Sequence, residues 1–201
     1  MGICGADAAT TRRVLDAMAA HVGTGAGRCC DRREVPAFGV LRFHHGVVEP
    51  APQPIAGEDE RVFIAADGEV FERSRLRADL ESAGHRLRHP ESSAELLLHL
   101  YEQHGDRAFR IANGSFSAAI YDLRDRRLLL VTDPFFSRPV FYCRLGDALV
   151  FSSRFNCLVA CGALDGGSLD VTAVMQMFTF QHCQYTNTHY SEAKAIPAAG
   201  I

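Results

Sequence analysis

The stretch that most narrows the choice of fold runs from Ser115 to Val131, where the apolar period changes to two. Phe116, Ala118 and Ile120 fall on one face, and Ser117, Ala119 and Tyr121 on the other. Asp122-Leu123-Arg124-Asp125-Arg126 then turns the chain into Leu128-Leu129-Leu130-Val131. This is the pattern of a hairpin with at least one well-buried strand. A second hairpin is expected from Val140-Phe141-Tyr142-Cys143 and Ala148-Leu149-Val150-Phe151, turning at Leu145-Gly146-Asp147. Helical patterns come first, paired strands later, and no βαβ alternation is found. Such an order implies an α+β fold in which helices layer onto antiparallel sheets.

The helical patterns are local and well punctuated. Val14, Leu15, Met18 and His21 recur at helical spacing, with Thr10 or Thr11 as the expected N-cap. Gly23-Thr24-Gly25-Ala26-Gly27 should end that helix in a mobile loop; it lacks the spacing of a phosphate-binding loop. Pro36 to Phe43 reads as extended, followed by a proline-rich loop over Glu49 to Pro54. Arg61 to Ala66 suits a buried strand that stops at Asp67-Gly68-Glu69. Helical spacing resumes from Glu72 to Leu80 and ends near Gly84. A third helix has Ser92 or Ser93 to cap it, Glu95 in its first turn, Leu96, Leu97, Leu100 and Tyr101 on its apolar face, and Gly105 as its stop. Beyond Gly166-Gly167 a further helix is expected over Leu169 to Phe178.

Composition excludes several classes of function. Of 201 residues, 47% are hydrophobic and 22% charged, and the net charge is -3, so nothing favours nucleic acid or an anionic membrane. No apolar run approaches the roughly 20 residues that span a bilayer, and no signal-peptide pattern opens the chain. Seven cysteines without framework spacing read as reduced thiols of a cytoplasmic protein. Cys157-x3-Cys161 is half of a zinc motif without its other half, so small core residues are the expectation there, and no metal site is expected. His44-His45 read as polar residues at a strand edge, because no carboxylate stands at a useful sequence spacing.

Chemistry is concentrated at Cys4-Gly5. A cysteine at an amino terminus can give its thiol proton to its own α-amine, a nucleophile activated by an adjacent base. The residues that follow define a resemblance: Phe38-Gly39-x-x-Arg42; Asp67-Gly68-Glu69-Val70-Phe71; Ser92-Ser93-Ala94-Glu95-Leu96-Leu97-Leu98-x-Leu100-Tyr101-Glu102; Asn113-Gly114-Ser115-Phe116-Ser117-Ala118-Ala119-Ile120-Tyr121-Asp122; Asp133-Pro134-Phe135-x-x-Arg138-Pro139-Val140-Phe141-Tyr142; and Phe151-Ser152-Ser153. In this order the chain resembles the amino-terminal class II glutamine amidotransferase domain of glutamine-hydrolysing asparagine synthetases, an N-terminal nucleophile hydrolase. The resemblance implies an αββα sandwich of two antiparallel sheets. It implies a domain over 1–165 and, over 166–201, a linker and the start of an ATP-pyrophosphatase synthetase domain whose SGGxDS motif is absent from these residues. Carried over by motif, Cys4 is the nucleophile if it is exposed as the amino terminus. Asp67 and Gly68 stand at the oxyanion positions, and Arg42, Glu69 and Ser93 at the glutamine-binding ones. The domain itself would need no cofactor, while ATP and Mg2+ would serve the synthetase domain. Expected partners are glutamine, a C-terminal or separate synthetase domain, and a second copy in a homodimer.

Three departures point to impaired glutamine hydrolysis. Gly2-Ile3 would still precede Cys4 after removal of Met1. Asp67 replaces an asparagine, and a carboxylate there donates nothing and repels developing negative charge; losing one oxyanion donor costs about 10²–10³ in kcat. Ser93 replaces an ammonium-binding aspartate. An Arg-Gly-Pro-Asp loop is also missing near Val22-Gly23-Thr24, and Phe136 replaces a glycine. Each position also has a structural reading: Cys4 as a small residue of the first strand, Arg42 as an ion pair, Asp67-Gly68-Glu69 as a turn, Ser93 as an N-cap. The alternative to a glutaminase is therefore a non-catalytic scaffold for an amide-forming domain, as in β-lactam synthetases and lasso-peptide cyclases.

Overall fold

A computed structural model describes residues 1–23, 29–45 and 51–201. In chain order these form β1 (Gly2–Cys4), α1 (Ala8–Val22), β2 (Cys29–Val35), β3 (Phe38–His44), β4 (Ile55–Ala56), β5 (Val62–Val70), α2 (Arg73–Ser82), α3 (Ser93–His104), a 3-10 turn (Gly105–Arg107), α4 (Ala108–Ile111), β6 (Gly114–Asp122), β7 (Arg127–Thr132), β8 (Phe141–Leu145), β9 (Ala148–Ser152), α5 (Phe155–Ala160), α6 (Val171–Phe180) and β10 (Ala193–Ala195). The α+β expectation holds, with one six-stranded and one four-stranded sheet, antiparallel in every pairing described. Positions 24–27 of the glycine-rich stretch and 49–50 of the proline-rich loop lie outside the described residues.

The chain divides into two compact units. The first is drawn from Met1–Gly25, Arg33–Leu41 and Pro139–Pro197. Its strands belong to the six-stranded sheet, ordered β10-β8-β9-β1-β3-β2. Apolar residues of β1, α1, β9 and α5 form its core, including Ile3, Val14, Leu15, Met18, Val150 and Leu158. Asp7, not Thr10 or Thr11, caps α1: its carboxylate accepts from the Thr10 N–H at 2.9 Å, so the helix begins earlier, at Ala8. Gly39 on β3 lets α1 sit close, since a Cβ there would meet Leu15 Cδ1 at 2.9 Å. Cys157 and Cys161 are buried core residues, as expected.

The second unit is drawn from Ala26–Arg32, Arg42–Arg138 and Ala198–Ile201 and holds the four-stranded sheet, ordered β4-β5-β6-β7. Its core combines Ile64, Phe116, Ile120 and Val131 of the strands with Leu76 and Leu80 of α2 and Leu96, Leu97 and Leu100 of α3. Ser92 caps α3, accepting from the Glu95 N–H at 3.2 Å; Ser93 is the first helical residue.

Two strands differ from expectation. Cys29–Val35 is a strand that Cys-Cys-Asp-Arg-Arg-Glu-Val gives no alternation to reveal; it lies at a sheet edge, and five of its seven residues are exposed. Charged side chains are how such edges are kept from pairing further. The strand that was to stop at Asp67-Gly68-Glu69 instead runs on to Val70, in unbroken register with β6, pairing Asp67 with Ser117, Gly68 with Phe116 and Glu69 with Ser115. The Asp-Gly turn signal is overridden by nine consecutive cross-strand partners.

Candidate active site

Cys4 is the last residue of β1, a strand enclosed on both sides: Cys4 pairs with Phe38 of β3 and with Leu149 of β9. The two residues before it are built into the sheet. Ile3 is fully buried, and a side chain at Gly2 would run into the Gly39 carbonyl and the Phe151 ring. Met1 exchanges backbone bonds with Leu41, its N–H donating at 3.1 Å and its carbonyl accepting at 2.8 Å. The Cys4 thiol is half-buried, and loss of solvation pushes its pKa above the usual thiol range. A raised thiol pKa works against the thiolate that nucleophilic attack needs.

The other expected site residues belong to the second unit. Gly68 has φ +105°, and a Cβ there would collide with the Ser115 carbonyl and come within 2.9 Å of the Phe116 Cα. Only glycine fits this bend of the strand. Asp67 is exposed, and its carboxylate accepts from Arg138 Nη1 at 3.2 Å. Glu69 is exposed opposite Ser115. Ser93 is buried, and its Oγ accepts from the Val70 N–H at 3.1 Å, tying the start of α3 to the end of β5. The N-cap reading of Ser93 is thus corrected: the hydroxyl holds a strand end, and its neighbour caps the helix. Asp67, Gly68, Glu69 and Ser93 are accordingly brought to one end of β5.

Arg42, at the end of β3, donates from Nη1 to the Ala51 carbonyl at 3.3 Å and pairs with Asp31 at 3.5 Å. Asp31 also lies 3.2 Å from His44 Nε2 and accepts from the Gln53 N–H at 3.0 Å. No sequence spacing links Asp31 to His44; β2, invisible to periodicity, brings the two together. The guanidinium of Arg42 thus has protein partners on two sides, as a structural ion pair does.

Arg138 and Asp31 are the residues that sequence reasoning passed over. Arg138 was legible as part of Asp133-Pro134-Phe135-x-x-Arg138. The loop carrying it is fixed by Asp133, fully buried, whose carboxylate accepts from the Phe135 N–H at 2.8 Å and from Ser137 Oγ at 2.6 Å. Burial is the largest single influence on that carboxyl and would raise its pKa. The bonds from Ser137, then from the N–H groups of Phe135, Ser137 and Arg138, outweigh it and hold the pKa below the ordinary range.

A family model described as a glutamine amidotransferase domain matches residues 2–201. The chain is 29% identical over 159 residues to glutamine-hydrolyzing asparagine synthetase 1 of Bacillus subtilis (strain 168), covering 79% of this chain and 25% of that protein. It is 33% identical over 106 residues to asparagine synthetase 2 of the same organism, covering 53% of this chain and 14% of that protein. The chain thus spans a quarter or less of the length of these relatives. Among solved structures, a glutamine phosphoribosylpyrophosphate amidotransferase from B. subtilis complexed with ADP and GMP superposes with a TM-score of 0.59 at 17% identity, covering 80% of this chain and 43% of that one. A structure described as the allosteric regulatory enzyme of purine biosynthesis gives 0.60 at 17% identity with the same coverage. At that identity the likeness speaks for the fold alone.

Proposed function

Because the chain belongs to the glutamine amidotransferase domain family, in its asparagine synthetase form and with an N-terminal nucleophile hydrolase fold, we propose that it is the amidotransferase-type domain of an ATP-dependent amide ligase whose own glutamine hydrolysis is impaired. The reaction of an intact domain of this kind is attack of the cysteine sulfur on the glutamine side-chain amide, giving a thioester and ammonia, followed by hydrolysis to glutamate. The single observation that carries the proposal is the position of Cys4 behind Gly2 and Ile3, both of which are structural parts of an enclosed strand. With Ile3 in place ahead of it, Cys4 would have no α-amine of its own to serve as base, and burial raises the thiol pKa as well.

Three other positions support impairment. Asp67 offers a carboxylate where a neutral donor is needed and is engaged by Arg138. The Ser93 hydroxyl is taken by the backbone of Val70. Arg42 is held by Asp31 and Ala51. A ligand carboxylate could still be bound by Arg42, but in competition with Asp31.

A second reading, a scaffold for a synthetase domain that takes an amine other than ammonia, is favoured by α6 and its surroundings. Val171, Met175 and Phe178 are exposed at i, i+4 and i+7, with Leu169 and Tyr185 nearby in sequence. Such an apolar stripe is suited to burial against another domain. ATP and Mg2+ would then serve that partner, and the cytoplasm is the compartment that fits seven free thiols. Among the described residues no helix is long and apolar enough to cross a membrane.

The test is intact-mass analysis of the purified protein together with glutamine-dependent ammonia release. The impaired reading expects a mature chain retaining Ile3 and no ammonia above background. A chain beginning at Cys4 that releases ammonia from glutamine would overturn it.

A further inference from the structure

Away from the residues above, the second unit converges two imidazoles and a carboxylate. α2 ends in a Schellman motif: Gly84, at φ +97°, donates to the Glu81 carbonyl at 3.0 Å, and His85 donates to the Leu80 carbonyl at 3.0 Å. That reversal delivers the His85 ring to α3, where Glu95, His99 and Glu102 share one face through i, i+4 and i+3 spacings. His85 Nδ1 lies 3.2 Å from His99 Nδ1, which lies 3.0 Å from Glu102 Oε2. All three donor atoms lie within 4.8 Å of one another. His99 is buried, and Gly57 gives Glu102 room, since a side chain at 57 would collide with Glu102 Oε1.

Simple two-centre hydrogen bonds cannot satisfy this arrangement. A ring nitrogen carries either one hydrogen or one in-plane lone pair. His99 Nδ1 can donate to Glu102 or accept from His85, but not both, yet both neighbours stand at bonding distance. A cation removes the conflict, because two lone pairs and a carboxylate oxygen can all point at it. The two separations at His99 are close to what one needs: zinc bonds of about 2.0–2.1 Å at tetrahedral angles place ligand atoms roughly 3.3–3.4 Å apart. A carboxylate also stands near the outer ring nitrogen, with Glu95 Oε1 3.8 Å from His99 Nε2 and beyond direct hydrogen-bonding distance. Carboxylates behind metal-bound histidines orient the ring and raise its basicity. Glu95 is itself fixed, accepting from the Arg88 N–H at 2.7 Å and from the His89 N–H.

We propose that His85, His99 and Glu102 form a binding site for a borderline divalent transition-metal ion, zinc above all, that fastens the loop after α2 to α3. Imidazole and carboxylate donors select zinc and its neighbours over Mg2+ or Ca2+, which prefer all-oxygen sites. Three protein ligands leave a fourth position to water.

The test uses the full chain with Cys29→Ser and Cys30→Ser, which remove the exposed thiols as competing ligands. After chelator treatment, Zn2+ is titrated by calorimetry and Co2+ by its visible absorption. One equivalent of each is expected to bind, with Zn2+ raising the unfolding temperature. His85→Ala and Glu102→Gln should each weaken binding by at least the 10–100-fold that loss of an outer-shell partner costs, while far-UV circular dichroism reports a folded protein. No stoichiometric binding, or binding unchanged in both variants, overturns the proposal. Should either variant fail to fold, carbethoxylation of His85 in the parent protein, followed by mass spectrometry, decides the matter. Protection by Zn2+ supports the site, and equal modification with and without Zn2+ refutes it.

Discussion

If Gly2 and Ile3 hold the first sheet together, freeing Cys4 as an amino terminus must damage the fold it would act from. Consider a chain with a protease site placed before Cys4, cut after folding so that Met1-Gly2-Ile3 leaves. Ile3 is fully buried among Val14, Leu15, Met18 and Leu41, and losing such a side chain costs about 2–5 kcal/mol. The two backbone bonds between Met1 and Leu41 disappear as well, at roughly 0.5–1.5 kcal/mol each. The sum is roughly 3–8 kcal/mol, to be set against a total stability of about 5–15 kcal/mol for a typical domain. The urea midpoint, followed by far-UV circular dichroism because the chain has no tryptophan, should therefore fall by about a fifth or more. Ile3→Ala in the uncut chain should reproduce the side-chain share alone. A cut protein with an unchanged midpoint would refute the reasoning, and one that also hydrolysed glutamine would return Cys4 to catalysis.

Other perturbations test single contacts. Gly68→Ala should cost upward of about 1–3 kcal/mol, since it combines a strained φ with a collision against β6; a change in urea midpoint within error would contradict the register given. Glu95→Gln keeps the shape but cannot accept twice from the 88–89 backbone, and a loss of about 1–3 kcal/mol is expected by denaturation. Asp133 has a folded pKa below its unfolded value of about 3.9, so its contribution is present above that pH and lost as pH falls through the folded value. Asp133→Asn should flatten the acid limb of the stability curve between those two values. Tyr101, pushed up to about 12 by burial and then by Asp122, should ionise well above the ordinary tyrosine range in an ultraviolet titration. The stability it confers is present below the unfolded pKa of about 10 and lost as pH rises to about 12, and Tyr101→Phe should abolish that slope.

What the sequence made legible was whatever repeats along it. β6 and β7, α3 with its Ser92 cap and Glu95, and the β8–β9 hairpin all follow from apolar period and local turn chemistry, and each is found within a residue or two of its expected bounds. β2 was hidden because an edge strand exposed along most of its length has no apolar stripe to show. The continuation of β5 through Asp67-Gly68-Glu69 was hidden for a different reason: Asp-Gly is a turn signal locally, and only the partner strand decides otherwise. Cys4, Gly68 and Ser93 could be singled out by motif, but their surroundings could not. That Ser93 serves a backbone N–H, that Arg42 shares Asp31 with His44, and that His85 meets α3 are long-range facts.

Three of the expected site positions share a feature that bears on how such a domain could shed an activity and keep its fold. Residues poised for substrate are commonly left short of protein partners, at a cost in stability. Here the Ser93 hydroxyl closes the β5–α3 junction, Arg42 pairs with Asp31, and Asp67 faces Arg138. Each contact uses a group that substrate binding would require to be vacant. Restoring the family residues should accordingly separate binding from stability. Ser93→Asp places a second carboxylate in a buried position where the hydroxyl now satisfies Val70, and burial of an uncompensated charge is costly. Asp67→Asn removes only an exposed ion pair, worth about 0–1 kcal/mol. The denaturation midpoint of Asp67→Asn should stay close to that of the parent, while Ser93→Asp should lower it clearly. Were both equally harmless, Ser93 would not be bearing the junction, and its hydroxyl would be as available to a ligand as the motif implies.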